Sequence, residues 1–130
     1  MTRILFLCVE NAGRSQMAEG FAKKFAPPGV EIHSAGSRPA AELHPAAVEA
    51  MRERGIDISA QRPKGIETLP DGIFDLVIGM GCADACPVHR AKRVLTWDIP
   101  NPQGESAEAV RLIRDQIENH VRKLLREISG

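Results

Sequence analysis

The sequence predicts an α/β fold in three layers, a four-stranded parallel sheet flanked by helices on both faces, formed by a single domain over residues 1–130. Three observations carry that expectation. Apolar strand-like runs alternate with helix-periodic ones, the connections between them are short, and the sequence closes on a long amphipathic helix. Alternation with short connections is the pattern of parallel strands joined by helical crossovers. A length of 130 residues supplies one hydrophobic core and too little chain for two ordinary ones.

The first strand is expected at Arg3–Leu7, an apolar run with few polar positions, as a strand buried on both faces requires. A helix pattern follows at about Ser15–Phe25, with Met17, Phe21, Ala22 and Phe25 on one face. Val30–Ser34 alternates and reads as the second strand. His44–Arg54 is helix-periodic through Ala47, Val48 and Met51, Phe74–Ile78 is a third strand, and Arg93–Thr96 a short fourth. In the last helix Val110, Ile113, Ile117, Val121, Leu124 and Ile128 step by three or four, with charges on the other side. Sheets of this kind bind ligands at the carboxyl ends of their strands, near the point where strand order reverses. Cys8 follows the first strand directly and therefore has that address.

Composition excludes several classes of function. Apolar residues are 43% and charged residues 26%, as in a folded domain. Lys plus Arg and Asp plus Glu are both 17, so the basic face of a nucleic-acid binder is not expected. The apolar run Ile4–Leu7 is too short for a signal segment or a membrane span, and the expected location is the cytoplasm, as a monomer. In a reducing compartment three cysteines, an odd count, point to catalytic or redox thiols or a metal site rather than structural disulfides. None of the four histidines (His33, His44, His89, His120) stands at a spacing to Asp or Ser that suggests a hydrolase triad, so structural or surface roles are expected for them.

The segment from Cys8 to Ser15 reads "CVENAGRS". A turn between a strand and a helix can converge its backbone N–H groups into a concave nest beside the free N–H groups of the helix start. Asn11 and Gly13 tolerate the left-handed backbone that such a nest needs. Arg14 adds a planar charged fork suited to a tetrahedral oxyanion. The expected anion-binding residues are Glu10, Asn11, Ala12, Gly13, Arg14 and Ser15, with only the backbone of Glu10 facing the ligand. Cys8 would lie at the floor of the cradle, where the helix end, Arg14 and the Ser15 hydroxyl all favour a thiolate nucleophile.

"CVENAGRSQMAEGF" resembles the C-x5-R-S loop of low-molecular-weight protein tyrosine phosphatases, and more closely that of thioredoxin-coupled arsenate reductases built on the same fold. The resemblance continues through "SAGSRP", "HPAAVEAM", "GIDIS", "FDLVIGMGCADACP" and "WDIPNPQG", nearly the whole chain. It implies arsenate as substrate and a relay of three thiols. Cys8 attacks arsenate, Cys82 attacks the Cys8 sulfur as arsenite departs, and Cys86 then attacks Cys82, leaving a disulfide for an external dithiol to reduce. Cα atoms one helical turn apart lie near the roughly 6 Å that a disulfide prefers, so C-x3-C spacing permits the last bridge. Gly79, Gly81 and Pro87 flank the pair and suit a loop that rearranges. Thioredoxin is the implied reductant, with a glutaredoxin-like protein and a low-molecular-weight thiol as the other candidate, and no bound cofactor is implied.

Two other readings remain at this stage. A phosphotyrosine phosphatase would need only Cys8 and Arg14. A metal- or redox-sensing module could use the C-x3-C-x2-H spacing of Cys82, Cys86 and His89 with Cys8 as fourth ligand, although the C-x5-R loop would then have no purpose. The sequence also departs from the pattern it resembles. The position of the general-acid Asp ahead of Pro is taken by Asn101, which cannot donate a proton as an acid, so either Asp98 substitutes or the chemistry dispenses with one. The chain has no Tyr, and Trp97 is the one large aromatic near the loop, which disfavours a phosphotyrosine cleft. Some of these reductases hold potassium behind the anion loop through residues matching Asn11, Glu19 and Ser34 and an Asp; here the Asp falls near Lys64, whose ammonium could fill the same role.

Overall fold

The structure is a computed structural model and describes residues 2–81 and 90–129. The strands are β1 (Thr2–Cys8), β2 (Val30–Gly36), β3 (Phe74–Gly79) and β4 (Ala91–Thr96). The helices are α1 (Arg14–Phe25), α2 (Pro45–Arg52) and α3 (Ala107–Ser129), with a short 3-10 helix at Ile66–Thr68. The four strands form one parallel sheet in the order β2-β1-β3-β4.

β1 is central, with Ile4 paired to Ile32 on one side and to Leu76 on the other, which is why its sequence is apolar almost throughout. Ile4, Phe6 and Cys8 join Leu76 and Ile78 under a layer built from Met17 and Phe21 of α1, Ala47 and Met51 of α2, and Ile113, Ile117, Val121 and Leu124 of α3. Leu5, Leu7, Ala35 and Val77 pack on the opposite side with Ile66 and Leu69, in and beside the 3-10 helix. The strict alternation along β1 thus divides two apolar clusters.

The long periodic pattern of α3 places Val110, Ile113, Ile117, Val121 and Leu124 in the core, with Ile128 packed against its edge. α2 ends at Arg52, two residues before the expected Arg54, because the chain turns through Gly55 at φ 75°, where the Ile56 N–H bonds back to the Met51 carbonyl at 3.0 Å. β2 runs on to Gly36 and β4 begins at Ala91, both longer than their side-chain patterns suggest, because backbone pairing continues where apolar residues stop.

From β1 the chain goes to β2 on one flank and then returns past β1 to β3 on the other. Strand order therefore reverses at β1, and the crevice beyond the carboxyl ends of β1 and β3 is the expected place for a ligand. The loop after Cys8 occupies it. The Met80 N–H extends β3 by bonding the Leu7 carbonyl at 2.8 Å, and brings Gly81 to the same edge. Cys82, Cys86, Pro87 and His89 lie outside the described residues.

Candidate active site

Where the loop's backbone groups go explains its shape. The carbonyls of Val9, Glu10 and Ala12 accept from the N–H groups of Arg38 (2.8 Å), Ala40 (2.9 Å) and His44 (2.9 Å). The Asn11 carbonyl accepts from Gln16 Nε2 at 2.9 Å and the Gly13 carbonyl from the Met17 N–H at 2.9 Å. Five consecutive carbonyls are thus drawn outward by the surrounding chain. The N–H groups of Glu10, Ala12, Gly13, Arg14 and Ser15 have no acceptor among the described residues. α1 has no side-chain cap and no acidic residue in its first turn to compensate its positive end. Such a set of converging donors is an anion site.

Asn11 makes the reversal possible. It is the one non-glycine residue at positive φ (51°) among the described residues, a conformation that Asn tolerates better than most. Gly36 passes beneath it on β2, and a Cβ there would meet the Val9 carbonyl oxygen at 2.6 Å and the Asn11 nitrogen at 2.9 Å. Only a glycine fits so close an approach of two backbones.

Cys8 ends β1 with its thiol buried and free. Its Sγ accepts from the Asn11 N–H at 3.2 Å and lies 2.9 Å from Ser15 Oγ. Asn11 Nδ2 donates to Ser15 Oγ at 2.7 Å and to Ser34 Oγ at 3.0 Å. The serine oxygen accepts that hydrogen bond, and its hydroxyl stands within reach to donate to the sulfur once the sulfur is a thiolate, the form that nucleophilic attack requires.

The sulfur opens into a cavity of ≈ 320 Å³ lined by Cys8, Val9, Glu10, Ala12, Gly13, Arg14, His44, Gly81, Asn101, Pro102 and Gln103. Arg14 is largely buried, with Nη1 donating to the Ile99 carbonyl at 3.1 Å, so its fork is held at the cavity by the segment after β4. Of the two residues considered for proton transfer, Asn101 borders the cavity and Asp98 does not. Trp97 and Ile99 turn into the core, leaving Asp98 between them exposed to solvent. Among the described residues no Phe, Tyr or Trp lines the cavity; Trp97 stacks on His120 instead, ring centroids 4.8 Å apart.

Behind the thiol lies a charged second cluster. Ser34 Oγ donates to Glu19 Oε1, and Lys64 Nζ stands 3.4 Å from that oxygen and 3.3 Å from Ser34 Oγ. Lys23 closes on the other carboxylate oxygen at 2.6 Å. Burial pushes the Glu19 carboxyl up, but the hydrogen bonds from Lys23 and Ser34 and the charges of Lys64 and Lys23 outweigh it and hold the carboxyl below its usual value. Gln16, fully buried, ties the Asn11 carbonyl and Oδ1 and the Arg62 carbonyl together, each at 2.9 Å. Sequence reasoning missed Gln16, Gln103 and the cavity position of His44; only the proximity of Gln16 to the Cys8–Ser15 loop hinted at its role.

A helix-capped nest over a strand-end cysteine, with an arginine six residues on, defines a class of oxyanion-handling enzymes. The chain belongs to the low molecular weight phosphotyrosine protein phosphatase family, whose model matches residues 3–130. Within that family its relatives carry the name arsenate reductase. It is 36% identical over 132 residues to the glutaredoxin arsenate reductase of Synechocystis, covering 99% of this chain and 100% of that one. An arsenate reductase solved in its phosphate-binding state superposes with a TM-score of 0.86 at 34% identity, over 98% of this chain and 99% of that one. The thioredoxin-dependent arsenate reductase of Corynebacterium glutamicum gives 0.81 at 39% identity, over 99% of this chain and 62% of that longer one.

Proposed function

We propose that this chain, as a single cytoplasmic domain and a monomer, reduces arsenate to arsenite through Cys8, Cys82 and Cys86. The observation that carries the reading is Cys8 at a cavity ringed by N–H groups that have no acceptor among the described residues and by the Arg14 guanidinium. The names borne by its relatives support the substrate.

In the first step the Cys8 thiolate attacks arsenic and one arsenate oxygen leaves as water, taking its protons from the acid arsenate and solvent. Arg14 and the N–H groups of residues 10 to 15 hold the remaining oxygens and offset the charge that builds on them. The Cys82 thiolate then attacks the Cys8 sulfur. The sulfur–arsenic bond breaks with its electron pair passing to arsenic, which departs as arsenite, and a Cys8–Cys82 disulfide remains. The Cys86 thiolate attacks Cys82, expelling the Cys8 thiolate and leaving a Cys82–Cys86 disulfide. Two thiols have supplied two electrons. An external dithiol restores them, with thioredoxin as the first candidate and a glutaredoxin with a low-molecular-weight thiol as the second, since relatives of both names exist.

Asn101 at the cavity supports arsenate over a phosphate ester. An amide cannot protonate an alkyl or aryl leaving group, whereas an arsenate oxygen carries its own proton. The absence of a phenyl-binding wall among the described lining residues supports the same choice. Lys64 supports independence from potassium, because its ammonium lies against Glu19 and Ser34.

The test is steady-state arsenate reduction by cysteine variants, with thioredoxin and glutaredoxin systems supplied in turn. Cys8→Ser should abolish chemistry, and Cys82→Ser and Cys86→Ser should stop turnover while retaining phosphate binding. Repeated turnover by Cys82→Ser would overturn the relay, and brisk aryl phosphate hydrolysis indifferent to Cys82 would favour the phosphatase.

A further inference from the structure

His44 borders the same cavity as Cys8 and Arg14, yet the mechanism above gives it no task. It stands at the N-cap of α2, and its backbone N–H bonds the Ala12 carbonyl at 2.9 Å, so the ring is fixed to the anion loop by main chain. Its side chain makes no capping bond, and its Nδ1 is buried with no hydrogen-bond partner among the described residues. A proton on Nδ1 would be a buried donor with no acceptor, an arrangement folded proteins avoid. With the proton on Nε2, Nδ1 keeps only an unpaired lone pair, the lesser of the two costs, and Nε2 itself is not among the buried unpaired atoms of the described residues. A neutral imidazole with its proton on Nε2 is a donor, and the space it borders is ringed with donors already.

We propose that His44 is a further oxyanion-binding residue, whose Nε2–H donates to an oxygen of the tetrahedral anion held over Cys8. This rests on the reading of the cavity as an oxyanion site. Outside the loop, the described cavity side chains that carry a donor are His44, Asn101 and Gln103, and of these His44 is the one fixed to the loop by a main-chain bond. Asn101 Oδ1 accepts from the Gln103 N–H at 3.1 Å, and the carboxylate of Glu10 can only repel an anion. His44 thus offers the anion a donor from α2, outside the anion loop. Its hydrogen bond would hold the anion in the ground state and leave the later thiol–disulfide steps untouched.

The experiment measures phosphate binding to the reduced protein by titration calorimetry, for the wild type and for His44→Phe, His44→Asn and His44→Gln. Phe keeps the ring volume without a donor. Asn is a good N-cap that preserves α2 but is too short to reach the Nε2 position, and Gln carries an N–H group to about that position. We expect the Phe and Asn variants to bind about tenfold more weakly, as the loss of one charge-assisted hydrogen bond implies, and Gln to stay within about twofold of wild type. In arsenate turnover, KM should rise in Phe and Asn with kcat nearly unchanged. Wild-type affinity in both Phe and Asn would overturn the role of His44 while leaving the anion site intact, as would a loss in Gln equal to that in Asn. A wild type that binds no phosphate would overturn the reading of the cavity and this inference with it.

Discussion

Replacing Asn11 with Ala tests whether the loop's shape depends on one side chain. Four hydrogen bonds would be lost: two donated by Nδ2, to Ser15 and Ser34, and two accepted by Oδ1, from Gln16 and the Lys64 N–H. Most partners keep a second bond, Ser15 to Cys8, Ser34 to Glu19 and Gln16 to the Arg62 carbonyl, so none of these becomes an orphan. At somewhat under 1 kcal/mol per lost bond, the side chain contributes about 3 kcal/mol. Ala at φ 51° adds about 1 kcal/mol of backbone cost, which Gly avoids. Asn11→Ala should therefore lose about 4 kcal/mol and Asn11→Gly about 3 kcal/mol. In urea unfolding, an m-value of about 2 kcal/mol/M turns the first figure into a midpoint shift of about 2 M. The rate of Cys8 alkylation by iodoacetamide at fixed pH should fall in both variants, because the Ser15 hydroxyl beside the sulfur loses the Asn11 bond that holds it in place. A cost below about 1 kcal/mol for Ala, or a Gly variant no better than Ala, would refute this account of the loop.

Gly81→Ala should displace Arg14, since a Cβ at φ 86° would stand 2.1 Å from Nη1; phosphate affinity by calorimetry should fall about tenfold, and unchanged affinity would contradict it. Lys64→Met should cost about 1–2 kcal/mol, since Lys23 still faces Glu19, and potassium in place of sodium should raise the melting temperature of the variant and not of the wild type. Glu19 has its carboxyl held below 4.5, so its ion-pair contribution is complete above that pH and is lost as pH falls through the lower folded value. The stability difference between wild type and Glu19→Gln should accordingly be constant near neutrality and shrink below pH 4.5 in acid unfolding; a difference that grows on acidification would reverse the sign assigned here.

Much of this site is legible in the sequence because its parts are local. The strand, the turn and the helix that hold Cys8, Asn11 and Arg14 are contiguous, and the apolar run before them fixes which sheet edge they share. The 3.6-residue period of α3 is visible for the same reason, since each buried position repeats on a single element. What could not be read depends on distant backbone. Val9, Glu10 and Ala12 owe their outward carbonyls to residues 38 to 44, and no periodicity records such pairings. His44 reads in the sequence as a structural or surface residue, and only its N–H bond to Ala12 brings it to the cavity. Asp98 shows the converse: it lies near Asn101 in sequence, but the alternation of Trp97 and Ile99 into the core turns it outward. The 3-10 helix Ile66–Thr68 carried no signal, because three residues show no period.

The central claim is that arsenate, and no other oxyanion of its shape, drives electrons out of this protein's thiols in a fixed order. Fully reduced protein, held without oxygen or an external reductant, would receive arsenate in one sample and phosphate in another, followed by disulfide mapping from peptide masses. The account predicts a Cys82–Cys86 bridge with arsenate, a Cys8–Cys82 bridge in Cys86→Ser, and free thiols with phosphate. Thiols that stay reduced in arsenate, or a bridge that forms equally with phosphate, would contradict it.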